Sequence, residues 1–240
     1  MIEQRTTDWY LCRKGMFTAS EIWKLMQGGT RQMNEEELIA AKESKSKRKT
    51  VDVMFGDTAI TYIRNKVAES LMTTNSFIDY IDENSFTTRA MQRGIELEFE
   101  ARNIYSERFN KRVDEVGFEI YDEYSGGSLD GLVDGENAQI EIKCPNTDKH
   151  LMFMLMKEGK ELLDIEPKYY YQVQFNLMGY KHDWCDFVSY DNRLKGKLDM
   201  SITRIYPDTE LFKEFKLRIK EAGLIKDKMI NEIVNLAITN

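Results

Sequence analysis

Two acidic residues and a lysine lie close together in the middle of this 240-residue sequence. Asp130 stands in the run Ser-Leu-Asp-Gly, and Glu141 and Lys143 follow in the run Glu-Ile-Lys-Cys-Pro. Carboxylate oxygens bind hard divalent cations, which neutralise phosphate charge and make a bound water nucleophilic. A lysine beside that water can orient it and help to deprotonate it. These residue types therefore favour metal-assisted hydrolysis of a phosphate ester.

Residues 138–144 alternate between two sets of side chains, which predicts a β-strand. Ile140 and Ile142 then face a core, while Glu141 and Lys143 lie together on the opposite face. A turn at residues 134–137 allows the preceding strand to bring Asp130 beside them. The alternative is a half-exposed strand with an ordinary Glu–Lys ion pair, because the pattern Glu-x-Lys is common.

A third carboxylate, Glu98, falls within a helix predicted from Arg89 to Phe109. It shares a face with Ala101 and Tyr105, because positions three and four apart are neighbours on a helix. A carboxylate on a largely apolar face requires a partner. That partner is either a metal ion or Arg102, one turn further along the helix.

The segment 169–175 combines four aromatic residues with Gln172 and Gln174. An aromatic core helix explains this pattern. A functional explanation is that one of the two glutamines reaches the attacking water or a phosphate. The pattern alone leaves both explanations open.

The remaining patterns predict one mixed α/β domain over residues 1–240. Predicted helices lie before Met26 and at 52–70, 89–109, 166–180 and 208–236, and Gly223 is a candidate break in the C-terminal helical region, 208–240. Strands are predicted within 121–144 and at 184–190 and 197–206. Residues 28–50 contain acidic and basic runs, which indicate either a solvated loop with a helical piece or a mobile basic insertion over a nucleic-acid backbone.

The composition argues against several other classes of site. Cys12, Cys144 and Cys185 lie far apart without a Cys-x-x-Cys pair, so a zinc or iron–sulfur centre has little support. His150 and His182 are interpreted as surface or packing residues. The net charge of −7 opposes nucleic-acid binding, but it averages over the surface and says little about one groove.

The targeting signals are also informative. No apolar run is long enough to cross a membrane, and the charged start of the chain does not resemble a signal peptide. We therefore expect no membrane partner and a cytoplasmic location.

Taken together, several segments resemble a known family. The runs Ser128 to Gly131, Glu141 to Pro145 and Tyr171 to Gln174 resemble the lambda-exonuclease-like phage recombination nucleases, the YqaJ-type viral recombinases of the PD-(D/E)XK superfamily. Trp9 to Ser20, Gly94 to Arg102 and Trp184 to Arg193 extend the resemblance in the family's order. It implies an α/β, restriction-endonuclease-like core with a central mixed β-sheet flanked by helices.

The resemblance also implies roles for the acidic residues and the lysine. Asp130 and Glu141 would be metal ligands together with the backbone carbonyl of Ile142. Glu98 would complete the surroundings of a second metal ion, through water. Lys143 would act on the attacking water.

Further roles concern the DNA substrate. Gln172 would hold an active-site water or a phosphate. Arg13, Ser20 and Ser128 match the family's pocket for a terminal 5′-phosphate, where a guanidinium binds two phosphate oxygens and hydroxyl groups add donors. Met91 matches an apolar wedge that helps to part the DNA strands.

The activity implied by the resemblance is metal-dependent 5′-to-3′ degradation of one strand of double-stranded DNA from an end, leaving a 3′ overhang for single-strand-annealing recombination. Two Mg²⁺ ions would serve, with Mn²⁺ as a substitute. A homotrimer, a single-strand annealing protein as partner and the bacterial host cytoplasm follow for a phage-encoded protein. The alternatives are an endonuclease, a single-strand-specific nuclease, or a non-catalytic DNA-end-binding module. The sequence departs from the family at Leu129, where proline is expected, and at residues 28–50, which match no family segment.

Overall fold

The computed structural model describes residues 2–44, 46–84 and 89–239, without the side chains of residues 90 and 91. The strands in this part of the chain are β1 Phe17–Thr18, β2 Gly29–Gln32, β3 Thr50–Val53, β4 Val113–Ile120, β5 Ser125–Val133, β6 Ala138–Lys143, β7 Trp184–Tyr190 and β8 Met200–Ile205. The α-helices are α1 Thr7–Arg13, α2 Glu35–Glu43, α3 Asp57–Leu71, α4 Thr74–Asn84, α5 Arg89–Phe109, α6 Thr147–Met154, α7 Leu162–Ile165, α8 Pro167–Tyr180 and α9 Thr209–Thr239. Short 3₁₀ helices lie at Ala19–Lys24, Gly159–Glu161 and Gly196–Leu198.

A mixed sheet forms the centre of the described structure. Its path runs β1-β5-β6-β7-β8, and β4 also pairs with β5. The pairs β1–β5 and β6–β7 are parallel, whereas β4–β5, β5–β6 and β7–β8 are antiparallel. Strand β6 therefore has a partner strand on each side and lies within the sheet, not at its edge.

Helices cover both faces of this sheet. On one face, Ala101 and Tyr105 of α5 pack in a cluster with Ile140 and Ile142 of β6. On the other face, α8 and α6 pack against β7 in a separate apolar cluster. The predicted architecture, a central mixed sheet flanked by helices, is confirmed.

A third apolar cluster joins the 3₁₀ helix Ala19–Lys24 to α3, α8 and α9. Helix α9 runs without interruption through Gly223, so the predicted break is wrong. A Cβ atom at Gly223 would lie 2.5 Å from the ring of Tyr124. Glycine stands here because the helix packs closely against that ring, and not because the chain turns.

Residues 28–50 contain more regular structure than predicted. Strand β2 pairs antiparallel with β3, which begins at Thr50. Helix α2 lies between them and begins with a capping box, in which Asn34 and Glu37 each accept a hydrogen bond from the other's backbone N–H. The helical piece is therefore present. The mobility of this segment and its contact with nucleic acid stay predictions.

Both histidines are buried and hydrogen-bonded. His150 makes hydrogen bonds with the Ser189 hydroxyl and with the backbone oxygen of Leu198, and His182 makes one with the side chain of Gln139. These contacts fit packing residues. Across the described ranges, no helix combines the length and the apolar character that a bilayer crossing requires.

Candidate active site

The hairpin of β5 and β6 brings three candidate residues together. Its antiparallel register places Asp130 next to Glu141. The Nζ atom of Lys143 forms an ion pair with Glu141 and lies 4.0 Å from Asp130 Oδ2. The backbone N–H of Ile142 donates a hydrogen bond of 2.8 Å to Asp130 Oδ2. The hairpin thus fixes two carboxylates and one ammonium group at a single place, as the sequence predicted.

Strand β6 is buried on both faces. Ile140 and Ile142 pack toward α5, and Glu141 on the opposite face is only 1% exposed. The Glu141–Lys143 ion pair exists, but the strand is not half-exposed as the alternative required. A carboxylate this deeply buried requires compensation from nearby positive charge.

Glu98 approaches the same place from α5, but its direct contacts are to arginines. Its Oε1 accepts a hydrogen bond of 3.1 Å from Arg102, and its Oε2 accepts one of 2.6 Å from Arg5. Burial and the negative charge of Asp130 raise the pKa of Glu98 to about 7. The predicted alternative, an ion pair between Glu98 and Arg102, is therefore present. Burial and the charge of Asp130 nevertheless disfavour the ionised form of Glu98.

Glu141 experiences the same field more strongly. Burial and the charge of Asp130 raise the pKa of Glu141 to about 8, and the ammonium group of Lys143 opposes this shift. For Lys143, burial alone would lower the pKa, but Glu141 and Asp130 raise the pKa above its ordinary value. The carboxylates therefore repel one another, and the lysine is held in its charged form.

The donor set fits a divalent cation. Glu141 Oε2 is buried and has no hydrogen-bond partner among the described residues. A hard cation would satisfy this oxygen and reduce the repulsion between the carboxylates. Within the described ranges, no group of three acidic, histidine or cysteine side chains is placed so that it could hold an ion by itself. The backbone carbonyl of Ile142 and water molecules would have to complete the coordination, and Mg²⁺ usually keeps several waters.

Two neighbouring cavities open at these residues. The first, which we call the carboxylate cleft, has a volume of about 570 Å³ and is lined by Glu98, Ile142, Lys143 and Gln172, among others. The second, which we call the arginine pocket, has a volume of about 240 Å³. Its lining includes Arg5, Arg13, Ser20, Ser128, Asp130 and Gln172. Ser20 and Gln172 line both cavities, so the two adjoin at these side chains.

The arginine pocket brings together the three residues that were expected to hold a 5′-phosphate. The guanidinium of Arg13 stacks 3.8 Å from the ring centroid of Trp9, whose Nε1–H donates a hydrogen bond of 2.9 Å to Ser128 Oγ. Burial lowers the pKa of Arg13, and no carboxylate of the described residues lies within ion-pair distance of it. Ser20 is exposed at the edge of the pocket. An arginine held by an aromatic ring keeps its N–H donors free for an anionic ligand.

The structure distinguishes the two glutamines of α8. Gln174 is buried, donates to the backbone oxygen of Tyr206 at 2.9 Å and accepts from the N–H of Asp208 at 2.8 Å, so it joins α8 to the start of α9. Gln172 instead lines both cavities. Only Gln172 can therefore face a water or a phosphate at this site. The side chain of Met91, the expected strand-parting wedge, lies outside the described residues.

Two arginines at the site were not singled out from the sequence. Arg5 lines the arginine pocket, and Arg93 lines the carboxylate cleft. Arg93 donates a hydrogen bond of 2.8 Å to Asp191, which is fully buried and also accepts from Arg193 and Thr147. The family-like run from Trp184 to Arg193 contains Asp191 and Arg193, and it was a sequence signal for this network. No pattern around Arg5 distinguishes it from a surface residue.

The fold defines the class of protein. The structure is similar to LHK-Exo, an alkaline exonuclease from Laribacter hongkongensis, with a TM-score of 0.73 and 26% identity over 98% of this chain and 99% of that chain. The structure of LHK-Exo in complex with dAMP gives a TM-score of 0.75 and 27% identity over the same shares of the two chains. A phage-related exonuclease from Haemophilus somnus 129PT gives a TM-score of 0.62 and 19% identity over 91% of this chain and 96% of that chain. This similarity supports the fold alone. This is the alkaline exonuclease fold.

The sequence defines the family. Residues 8–179 match the model of the YqaJ-like viral recombinase domain. The chain therefore belongs to the YqaJ-like viral recombinase family, which confirms the resemblance seen in its motifs. A search of curated proteins finds no significant match. Family membership and the similar structures make this chain an enzyme of the exonuclease class.

Proposed function

We propose that this chain is a metal-dependent exonuclease that degrades one strand of double-stranded DNA in the 5′-to-3′ direction and leaves a 3′ overhang. The observation that carries the proposal is that the arginine pocket and the carboxylate cleft adjoin at Ser20 and Gln172. A terminal phosphate held in the pocket would leave the next phosphodiester of the same strand beside the cleft. With the pocket assigned to a terminal 5′-phosphate, as the family resemblance implies, such a site would begin at a 5′ end.

The carboxylates of the β5–β6 hairpin and of α5 suit a cation-assisted reaction. Two Mg²⁺ ions, with Mn²⁺ as a substitute, would be held by Asp130, Glu141, the carbonyl of Ile142 and, through water, Glu98. When bound, they would neutralise phosphate charge and make a water nucleophilic. The orphaned Oε2 atom of Glu141 supports this ligand set.

Other residues of the two cavities bind and orient the reactants. Lys143 Nζ, beside Glu141 and Asp130, can donate a hydrogen bond to the attacking water and orient it. Gln172 can donate to that water or to a phosphate oxygen from its place between the two cavities. Arg13 and the hydroxyl groups of Ser20 and Ser128 hold the terminal phosphate.

The test is digestion of a linear duplex and of the same duplex as a closed circle, with Mg²⁺ or with EDTA. We expect nucleotide release from the linear DNA with Mg²⁺ only. Lys143→Ala should reduce the rate by at least ~10²-fold because it removes the group that acts on water. Lys213→Ala, which removes an exposed lysine of α9, is the matched control and should keep full activity.

Other outcomes would point to other functions. Cleavage of the closed circle would indicate an endonuclease, and preferential loss of single strands would indicate a single-strand-specific nuclease. Binding of DNA ends without release of nucleotides by the wild type would indicate an end-binding module. Equal rates for the wild type and Lys143→Ala would remove the proposed active site.

The wider assembly is proposed from family membership alone. Three copies would close into a ring around the DNA, and a single-strand annealing protein would receive the overhang in the cytoplasm of a bacterial host. Light scattering of the purified chain at several concentrations tests the trimer, since a monomer at all concentrations would contradict it.

A further inference from the structure

The side chain of Gln4 fixes the segment before α1 against the sheet. Gln4 Nε2 donates hydrogen bonds to the backbone oxygens of Val116 in β4, at 2.7 Å, and of Leu129 in β5, at 2.9 Å. The next residue, Arg5, has a φ angle of +66°, in the left-handed region. This conformation is unfavourable for a residue with a side chain and is often retained where function requires it.

The fixed segment directs Arg5 to the junction of the two cavities. Its Nη2 donates a hydrogen bond of 2.6 Å to Glu98 Oε2, at the carboxylate cleft. The same side chain lines the arginine pocket together with Arg13 and Asp130. Among the described residues, Glu98 is the one hydrogen-bond acceptor of this guanidinium, so its remaining N–H donors can serve a ligand.

Arg5 can leave Glu98 for a phosphate without leaving the carboxylate of Glu98 unpaired. Glu98 keeps its contact with Arg102, which also pairs with Glu115. The side chain of Arg5 is 38% exposed, so its movement requires no opening of the core. A phosphate offers the guanidinium two oxygens in a geometry that favours paired hydrogen bonds.

We propose that Arg5 is a further substrate-binding residue, whose guanidinium binds the phosphodiester to be cut. This inference rests on the function proposed above. In the DNA-free protein Arg5 pairs with Glu98. When the DNA end enters, Arg5 turns to the phosphodiester, while Arg13, Ser20 and Ser128 hold the terminal phosphate. Arg5 and Arg13 therefore bind successive phosphates of one strand.

The test compares binding of two hairpin duplexes of one sequence, one with a 5′-phosphate and one with a 5′-hydroxyl, by fluorescence anisotropy in EDTA. Both duplexes contain the phosphodiester, so Arg5→Gln should weaken binding of both by a similar factor, about fivefold or more. Arg13→Gln should weaken binding of the phosphorylated duplex selectively. Arg112→Gln removes an exposed arginine that pairs with Asp114 and should change neither affinity.

A second variant separates binding from folding. Glycine is favoured at a φ angle of +66°, so Arg5→Gly should melt at the wild-type temperature or above while binding both duplexes weakly. A lower melting temperature with a parallel loss of affinity would show a structural role and overturn the proposal. Unchanged affinities would also overturn it, and a loss confined to the phosphorylated duplex would assign Arg5 to the terminal phosphate instead.

The same proteins distinguish this inference from the proposed function. If the wild type does not digest linear duplex DNA with Mg²⁺, the proposed function fails. If the wild type digests DNA and both Arg5 variants bind as it does, only the role of Arg5 is rejected.

Discussion

Replacing Arg13 with glutamine tests whether the arginine pocket recognises a terminal phosphate. The guanidinium stacks on Trp9 and has no carboxylate of the described residues within ion-pair distance. Its N–H donors are therefore not used by an acidic partner in the free protein. We expect Arg13→Gln to lose its preference for a 5′-phosphorylated end over a 5′-hydroxyl end.

The magnitude follows from the contacts that are removed. Hydrogen bonds to charged groups contribute ~1.5–3 kcal/mol, which corresponds to roughly 10- to 150-fold in rate at low DNA concentration. The effect on folding should be small, because the variant loses a cation–π contact but no longer buries an unpaired charge. For a chain of this size, a change of ~1 kcal/mol moves the melting temperature by about 2–4 °C.

The assay measures initial rates on linear duplexes that differ only in the 5′-phosphate, with the melting temperature of each variant as a check on folding. Trp9→Phe keeps an aromatic ring but removes the N–H that bonds Ser128, so it should lose a smaller part of the preference. The reasoning is refuted if Arg13→Gln remains folded and still prefers the phosphorylated end as the wild type does. It is also refuted if the wild type has no such preference.

The remaining predictions concern the two glutamines of α8 and the buried Asp191. Gln174→Ala should lower the free energy of unfolding by ~2 kcal/mol with the activity retained, since it removes a buried bridge. Gln172→Ala should melt normally and lose at least ~10-fold in rate, as measured in the same digestion assay. Burial alone would raise the pKa of Asp191, but hydrogen bonds from Arg193 and Thr147 hold this pKa well below its ordinary value. The stability from Asp191 is therefore present above pH ~4 and lost as the pH falls below that value. Asp191→Asn should cost ~3 kcal/mol at pH 7, and denaturant unfolding should show the gap to the wild type narrowing toward pH 2. A constant gap would contradict this.

The sequence predicted the elements whose patterns are local. The helix from Arg89 to Phe109 and the strand from Trp184 to Tyr190 have the predicted bounds, because apolar periodicity marks each along its whole length. Strand β4 was not predicted because register shifts interrupt its pairing with β5 and break the alternation. Helix α2 lies between β2 and β3 in the chain, so no short turn motif in the sequence predicts their pairing.

The site was predictable where residues share one hairpin and less so where they come from distant segments. Alternation in β6 and one turn were enough to place Asp130, Glu141 and Lys143 together. The environment of Glu98 was only half predicted, because Arg102 lies one turn away on the same helix whereas Arg5 comes from a segment 93 residues earlier. The pattern could not separate Gln172 from Gln174, since their difference depends on the position of the loop at Tyr206.

The acidic balance of the chain bears on how the proposed enzyme finds its substrate. At a net charge of −7, the body of the protein gains little from displacing counterions along the sides of duplex DNA. Local charge differs, because Arg13 lacks a carboxylate partner among the described residues and Arg93 and Lys168 line the carboxylate cleft. Attraction of DNA phosphates to these few cations therefore extends only over about one Debye length. If the proposed function holds, this distribution of charge would favour binding at a terminus that fits the pocket over binding along continuous duplex.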